Sequence, residues 1–216
     1  MGEMSLMANA GLSELVSTSK MWVNRRLMIP TKMEWTFSGL CGCLVELSGA
    51  AASPLLTVAC KLVRQAQQHG DPVAWIAQSE SIFFPPDVAG GGVDLMALPV
   101  IRLADNFQRM RAADQLARSG AFGLLVIDLC GCLELPVTVQ IRLARQAFSH
   151  ATLILCLTKK TDRQPSLGSF VSVRGHTKCI RHRDNRFECQ VHVIKDKRCG
   201  PGWSDKEWCC GPAGVR

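Results

Sequence analysis

The sequence predicts an α/β domain, a mostly parallel sheet flanked by helices, with an antiparallel hairpin at its C-terminal side. Three observations carry this. Short apolar runs alternate with helix-length segments as far as Leu157, the mark of parallel strands covered on both faces. The first run ends in a turn of small residues, Gly49 to Ser53, that leads straight into a helix. Beyond Lys159 the apolar period changes to two, as in a sheet with one polar face.

Residues 9–27 read as an amphipathic helix or arm, broken by Pro30 and Thr31. The run CLVELS, Cys43 to Ser48, reads as the first strand. Pro54 to His69 is the first helix of the repeat, with proline tolerated in the opening turn, and Gly70-Asp71-Pro72 closes it. Val73 to Ala77 is a second strand, followed by a loop from Ser79 to Gly92. Leu98 to Leu103 is a third strand. Residues 105–119 place Phe107, Met110, Ala113 and Ala117 at helical spacing. Phe122 to Leu129 and Thr152 to Leu157 are strands around a helix from Pro136 to Ser149. SFVSVRGHTKCIRHR and RFECQVHVIKDK then flank Asp184-Asn185 as a hairpin. The tail from Gly200 is rich in turn residues and is expected to form little regular structure. The expected organisation is an arm over 1–35, the α/β domain over 36–198 and a tail over 199–216.

Composition narrows the function. No run approaches the length of an uncharged apolar membrane span, and the N-terminus lacks the pattern of a secretory signal, so a cytoplasmic protein is expected. Several of the eleven cysteines, such as Cys60, Cys130 and Cys156, sit in apolar stretches and read as reduced, buried thiols. Between Lys159 and Arg198 there are eleven Lys or Arg against four acids, an excess equal to the whole net charge of +7. A localised basic stretch suggests a polyanionic partner, with Lys159, Lys160, Arg163, Arg174, Lys178, Arg181 and Arg183 as its contacts. The alternative is a solvated hairpin face.

A strand, a small-residue turn and a helix are the scaffold of a phosphate-binding loop, whose working form is G-x-x-x-x-G-K-S/T. Here the stretch is Gly49-Ala50-Ala51-Ala52-Ser53-Pro54-Leu55-Leu56-Thr57. The first glycine is present. Pro54 stands at the second and removes an amide, Leu55 replaces the lysine, and Leu56 replaces the magnesium-binding hydroxyl. An apolar side chain facing a triphosphate leaves charge uncompensated at a cost of several kcal/mol. The sequence therefore predicts no bound nucleotide cofactor and no ATPase activity. Strand GLLVID ends in Asp128, where a Walker B carboxylate would sit. Without a lysine or threonine to share a magnesium, it reads as a cap.

The stretches GCLVELSGAAASPLLT, GDPVAWIAQSES and GVDLMALPVIRLADNFQRMRAADQLARSGAFGLLVIDL resemble bacterial RecA, the last nearly end to end. The resemblance covers residues 36–196 and implies a RecA-like core. It would place the catalytic glutamate at Ser79 or Glu80, and the switch glutamine at Thr158. It matches Lys195 and Lys197 to the lysine pair that reaches a neighbour's ATP in RecA filaments. Both DNA-binding loops are shortened, to CGCLELP and TKKTDRQPSLGS. That pattern, with LGSFVSVR before the hairpin and KDKRCGPGW after it, is similar to the ImuA family of mutasome proteins. The similarity implies a non-catalytic accessory role in SOS-induced translesion synthesis. The implied partners are RecA or an ImuB-like protein, and through them an error-prone polymerase. Trp203 and Trp208 are the expected anchors of partner docking. Self-association, weak DNA binding and a SulA-like inhibitor of cell division stand as alternatives. Cys179-x-x-His182 and Cys189-x-x-His192 have zinc-ligand spacing, but on strands their members point to opposite faces.

Overall fold

The computed structural model describes residues 34–50, 53–79, 81, 83, 85–129, 135–181 and 186–210. The expected helix over 9–27, Glu80, Arg183, the Asp184-Asn185 turn and Cys130 lie outside them. The described elements are α1 (Phe37–Leu40), β1 (Leu44–Gly49), α2 (Leu55–Gln68), β2 (Val73–Gln78), α3 (Pro85–Gly90), β3 (Val100–Leu103), α4 (Asn106–Ser119), β4 (Leu124–Asp128), α5 (Val137–His150), β5 (Leu153–Thr158), β6 (Val173–Arg181), β7 (Arg186–Asp196) and β8 (Ser204–Cys210).

All eight strands join one sheet in the order β3-β2-β4-β5-β1-β6-β7-β8. The pairings from β3 through β6 are parallel, and β6/β7 and β7/β8 are antiparallel. This is the α/β architecture with a C-terminal antiparallel extension that the sequence predicts. The strand alternation divides the core in two. Val45, Leu47, Trp75, Val126 and Leu155 face Val58, Ala59, Leu62 and Val63 of α2. Leu44, Ile76, Leu125, Ile127 and Ile154 face Met110, Ala113 and Ala117 of α4 and Leu143 and Ala147 of α5. Burial on both faces is why these strands read as continuous apolar runs.

Local chemistry sets the helix ends. The Asp105 carboxylate accepts the Gln108 amide at 3.1 Å and opens α4. Gly120, at φ 66°, closes it in the left-handed conformation that glycine adopts without strain.

Two expectations about loops are corrected. The segment from Ser79 to Gly92 contains the short helix α3. The tail forms β8, paired with β7 from Arg186↔Cys210 to His192↔Ser204. Gly200 and Gly202, at φ 88° and 102°, make the turn that returns the chain, so the glycine- and proline-rich stretch is a hairpin loop rather than an irregular end. Lys61 of α2 holds β8 through Glu207 at 2.7 Å, and Lys206 reaches Glu188 of β7 at 2.8 Å.

Candidate functional site

The phosphate-loop position sits at the carboxyl end of β1, where open parallel sheets bind ligands. The Ser53 amide donates to the Ala50 carbonyl at 3.2 Å. A Cβ placed on Gly49 would lie 2.0 Å from Ser53 Oγ and 2.6 Å from Thr177 Oγ1, so two hydroxyls occupy the space above that glycine. Pro54 caps α2 with no side-chain hydrogen bond, and its carbonyl accepts the Val58 amide at 3.0 Å. Leu55 is 7% exposed and belongs to the α2-side core, and Leu56 packs against the same cluster. The side chain standing where a lysine would meet phosphate is therefore turned into the protein.

Asp128 ends β4 and is buried. Its Oδ2 accepts Ser81 Oγ at 2.7 Å, and its backbone carbonyl accepts the Arg109 guanidinium at 2.9 Å. The carboxylate is held by the loop after β2.

A second constellation was not read from the sequence. Glu46, on β1, is fully buried on the α5 side. Its Oε1 accepts Thr158 Oγ1 at 3.0 Å, and its Oε2 accepts Ser166 Oγ and the Leu167 amide, each at 2.8 Å. Lys160 Nζ lies 3.4 Å from Oε1 and Arg174 Nε 3.7 Å from Oε2. A carboxylate in such a place survives only if paired and hydrogen-bonded, and here it is both. The signal was present in the sequence: CLVELS carries an acid in a strand otherwise fit for burial on both faces.

This cluster changes the roles of several basic residues. Arg174, 2% exposed, donates to the carbonyls of Gln164 and of Thr161, the latter at 2.9 Å. Lys160 donates to the Pro165 carbonyl at 3.1 Å. Both were expected to contact nucleic acid. Both instead point inward and tie down the connection from β5 to β6, because the Glu46 charge and the loop's carbonyls draw them there. Lys195 donates to the Gly168 carbonyl at 2.9 Å and Lys197 to that of Ser169. The pair expected to reach a neighbour's nucleotide thus holds the chain's own loop. Burial, and next the Lys197 charge, press the Lys195 ammonium below its ordinary pKa. Lys159, Arg163, Lys178 and Arg181 remain exposed, with Lys178 3.5 Å from Asp162.

Trp203 and Trp208 part company. Trp203 Nε1 donates to Asp196 Oδ2 at 3.3 Å, and its ring centroid lies 6.5 Å from that of Trp35. It packs back on the core, which corrects its expected role as a docking anchor. Trp208 is 61% exposed. Asp196 is buried, which alone would raise its pKa. The Arg198 side chain and amide and the Cys199 amide outweigh this and hold it below the usual carboxylate range. Cys179 and Cys189 lie directly opposite each other on β6 and β7, as do His176 and His192 on the other face. Among the described residues, no three His, Cys, Asp or Glu side chains group as a metal site, and no helix is long and apolar enough to cross a membrane.

No family model matches the chain. Among curated proteins it is similar to RecA. It is 36% identical over 132 residues to Protein RecA of Nocardioides sp., covering 56% of this chain and 37% of that protein. It is 32% identical over 131 residues to that of Salinispora tropica, again 56% and 37%. It is 35% identical over 92 residues to that of Fusobacterium nucleatum, 43% and 24%. The chain thus spans about a third or less of the length of these relatives. With the α/β sheet described above, these distant and partial similarities support a RecA-like relationship and a RecA-like core.

Proposed function

We propose that the chain is a non-catalytic RecA-like accessory protein of the ImuA type, acting by protein contacts in damage-induced translesion synthesis. The observation that carries the reading is Leu55, buried in the α2-side core where a phosphate-binding lysine would stand. Pro54 supports it, since proline has no amide to offer a phosphate at that position. Asp128 is engaged by Ser81, and Leu55 and Leu56 stand where the resemblance would put the loop's lysine and magnesium-binding hydroxyl. The chain keeps a RecA-like body without the parts that drive an ATP cycle. Its action is therefore docking, to RecA or to an ImuB-like polymerase relative, and through that partner to an error-prone polymerase.

The loop over 159–172 supports the same reading. A RecA-like DNA loop must move to follow a strand, and here Glu46, Lys160, Arg174, Lys195 and Lys197 fasten it at seven of its residues. The exposed Lys159, Arg163, Lys178 and Arg181 support a second reading, weak electrostatic DNA binding, whose affinity would fall steeply with salt. The test of the main reading is RecA pull-down, with strand exchange by RecA titrated against this protein. Binding with a dose-dependent change in exchange supports the proposal. No binding to RecA or to an ImuB-like protein, and no change in exchange, overturns it.

A further inference from the structure

We propose that Cys179 and Cys189 form a peroxide-sensitive dithiol that oxidises, in the folded chain, to a cross-strand disulfide stapling the β6–β7 hairpin. The two residues are exact partners in the antiparallel register, and both carry thiols. The backbone shows which kind of partners they are. On β7, Val193 directs its N–H to the Trp203 carbonyl at 2.9 Å and its carbonyl to the Gly202 amide at 2.8 Å, both on the β8 side. Backbone direction alternates along a strand, so Val191 and Cys189 also point their amides toward β8. Cys189 therefore exchanges no ladder hydrogen bonds with Cys179. Across such a pair the Cα atoms lie about 4.5 Å apart with side chains close, on the same face of the sheet. That span falls within the range a disulfide bridges without backbone movement.

Exposure divides the work between them. Cys179 is exposed and meets the oxidant, whereas Cys189 is 6% exposed and lies behind it. The Cys179 thiolate attacks one oxygen of hydrogen peroxide, the O–O bond breaks, and the departing hydroxide takes up the thiol's proton as water. The sulfenic acid so formed is attacked by the Cys189 sulfur. An S–S bond forms, the S–O bond breaks, and the second water leaves with the Cys189 proton. Two thiols lose two electrons in all, and one peroxide gains them. Two other thiols are poor rivals: desolvation raises the half-buried Cys60 to about 11 and the buried Cys156 further, so both stay protonated. The staple would close the hairpin two register steps from its last described pair, Arg181 and Phe187, and fix the strand ends that present Arg181. It lies on strands β6 and β7, two residues beyond Thr177, and does not depend on the function proposed above.

The test uses the reduced full-length chain treated with hydrogen peroxide, alkylated, digested and mapped by mass without reductant. The expected product is a peptide pair joined through Cys179 and Cys189, lost on dithiothreitol and absent in Cys179→Ser. Oxidation should also raise the urea midpoint of the wild type and leave that of Cys179→Ser unmoved. Because Cys179 is exposed, that variant keeps the fold, which its thermal unfolding checks. Two results would overturn the proposal. One is Cys179 carried to sulfinic or sulfonic acid while Cys189 stays alkylatable after unfolding. The other is Cys179 joined to a different cysteine or to a second chain.

Discussion

Replacing Arg174 with alanine separates a structural cation from a nucleic-acid contact. The side chain is 2% exposed and serves the Glu46 carboxylate, Ser48 Oγ and the carbonyls of Thr161 and Gln164. Its removal leaves a buried carboxylate short of one cation and two loop carbonyls short of a donor. Breaking a buried pair on one side costs about 3–5 kcal/mol, and each orphaned polar group about 1–3 kcal/mol where water cannot reach it. Water can enter at the loop, so the expected loss is about 4 kcal/mol. For a chain of this size that corresponds to about 8–16 °C in Tm. Urea unfolding gives the free energy, and hydrogen exchange should localise the loosening to residues 159–172. Lys178→Ala, at an exposed position paired with Asp162, should stay within about 0.5 kcal/mol of wild type. An Arg174→Ala protein as stable as wild type, but with weakened oligonucleotide binding, would refute the reasoning and return Arg174 to a polyanion site.

Leu55→Lys places an ammonium in the α2-side core and should lower stability by about 3 kcal/mol or more, with no recovery on adding MgATP. Thermal unfolding with and without nucleotide reads this, and recovery would mean the loop can still open to phosphate. Trp203→Ala removes the contact with Trp35 and the bond to Asp196 and should cost about 3–5 kcal/mol. Trp208→Ala should cost less than about 1 kcal/mol, and equal losses in denaturant unfolding would contradict the separation of the two. Burial lowers the pKa of His176, with Lys178, Arg174 and His192 acting in the same sense and Asp162 against it. The folded state thus resists its protonation, so stability should be full above the ordinary histidine range and fall as pH drops through about 6.5 toward the folded value. His176→Gln should flatten that slope in pH-resolved unfolding, and an unchanged slope would assign it elsewhere.

The fold was legible because each layer wrote its own period. Runs such as LLVID and LILCL could only be strands buried on both faces, and Met110, Ala113 and Ala117 marked the buried face of one helix. The burial of Leu55 was legible from an apolar side chain in the first turn of α2. The loss of Lys160 and Arg174 to the interior was not legible, nor was the bond of Lys195 to Gly168. Their partners lie far off in the chain: Glu46 is 114 and 128 positions from the first two. Net charge counts cations without saying which way they point. β8 was missed because Gly200, Pro201 and Gly202 suggested disorder, while SDKEWCC is too polar to announce a strand until β7 is there to pair with it.

The central claim is that this RecA-like domain does not use ATP, and nucleotide-dependent thermal unfolding tests it most directly. A nucleotide at a hundredfold its Kd would stabilise the folded chain by about 2.7 kcal/mol. The account predicts no shift in Tm with millimolar MgATP and no phosphate release. A saturable rise in Tm, together with turnover that Asp128→Asn abolishes, would contradict it.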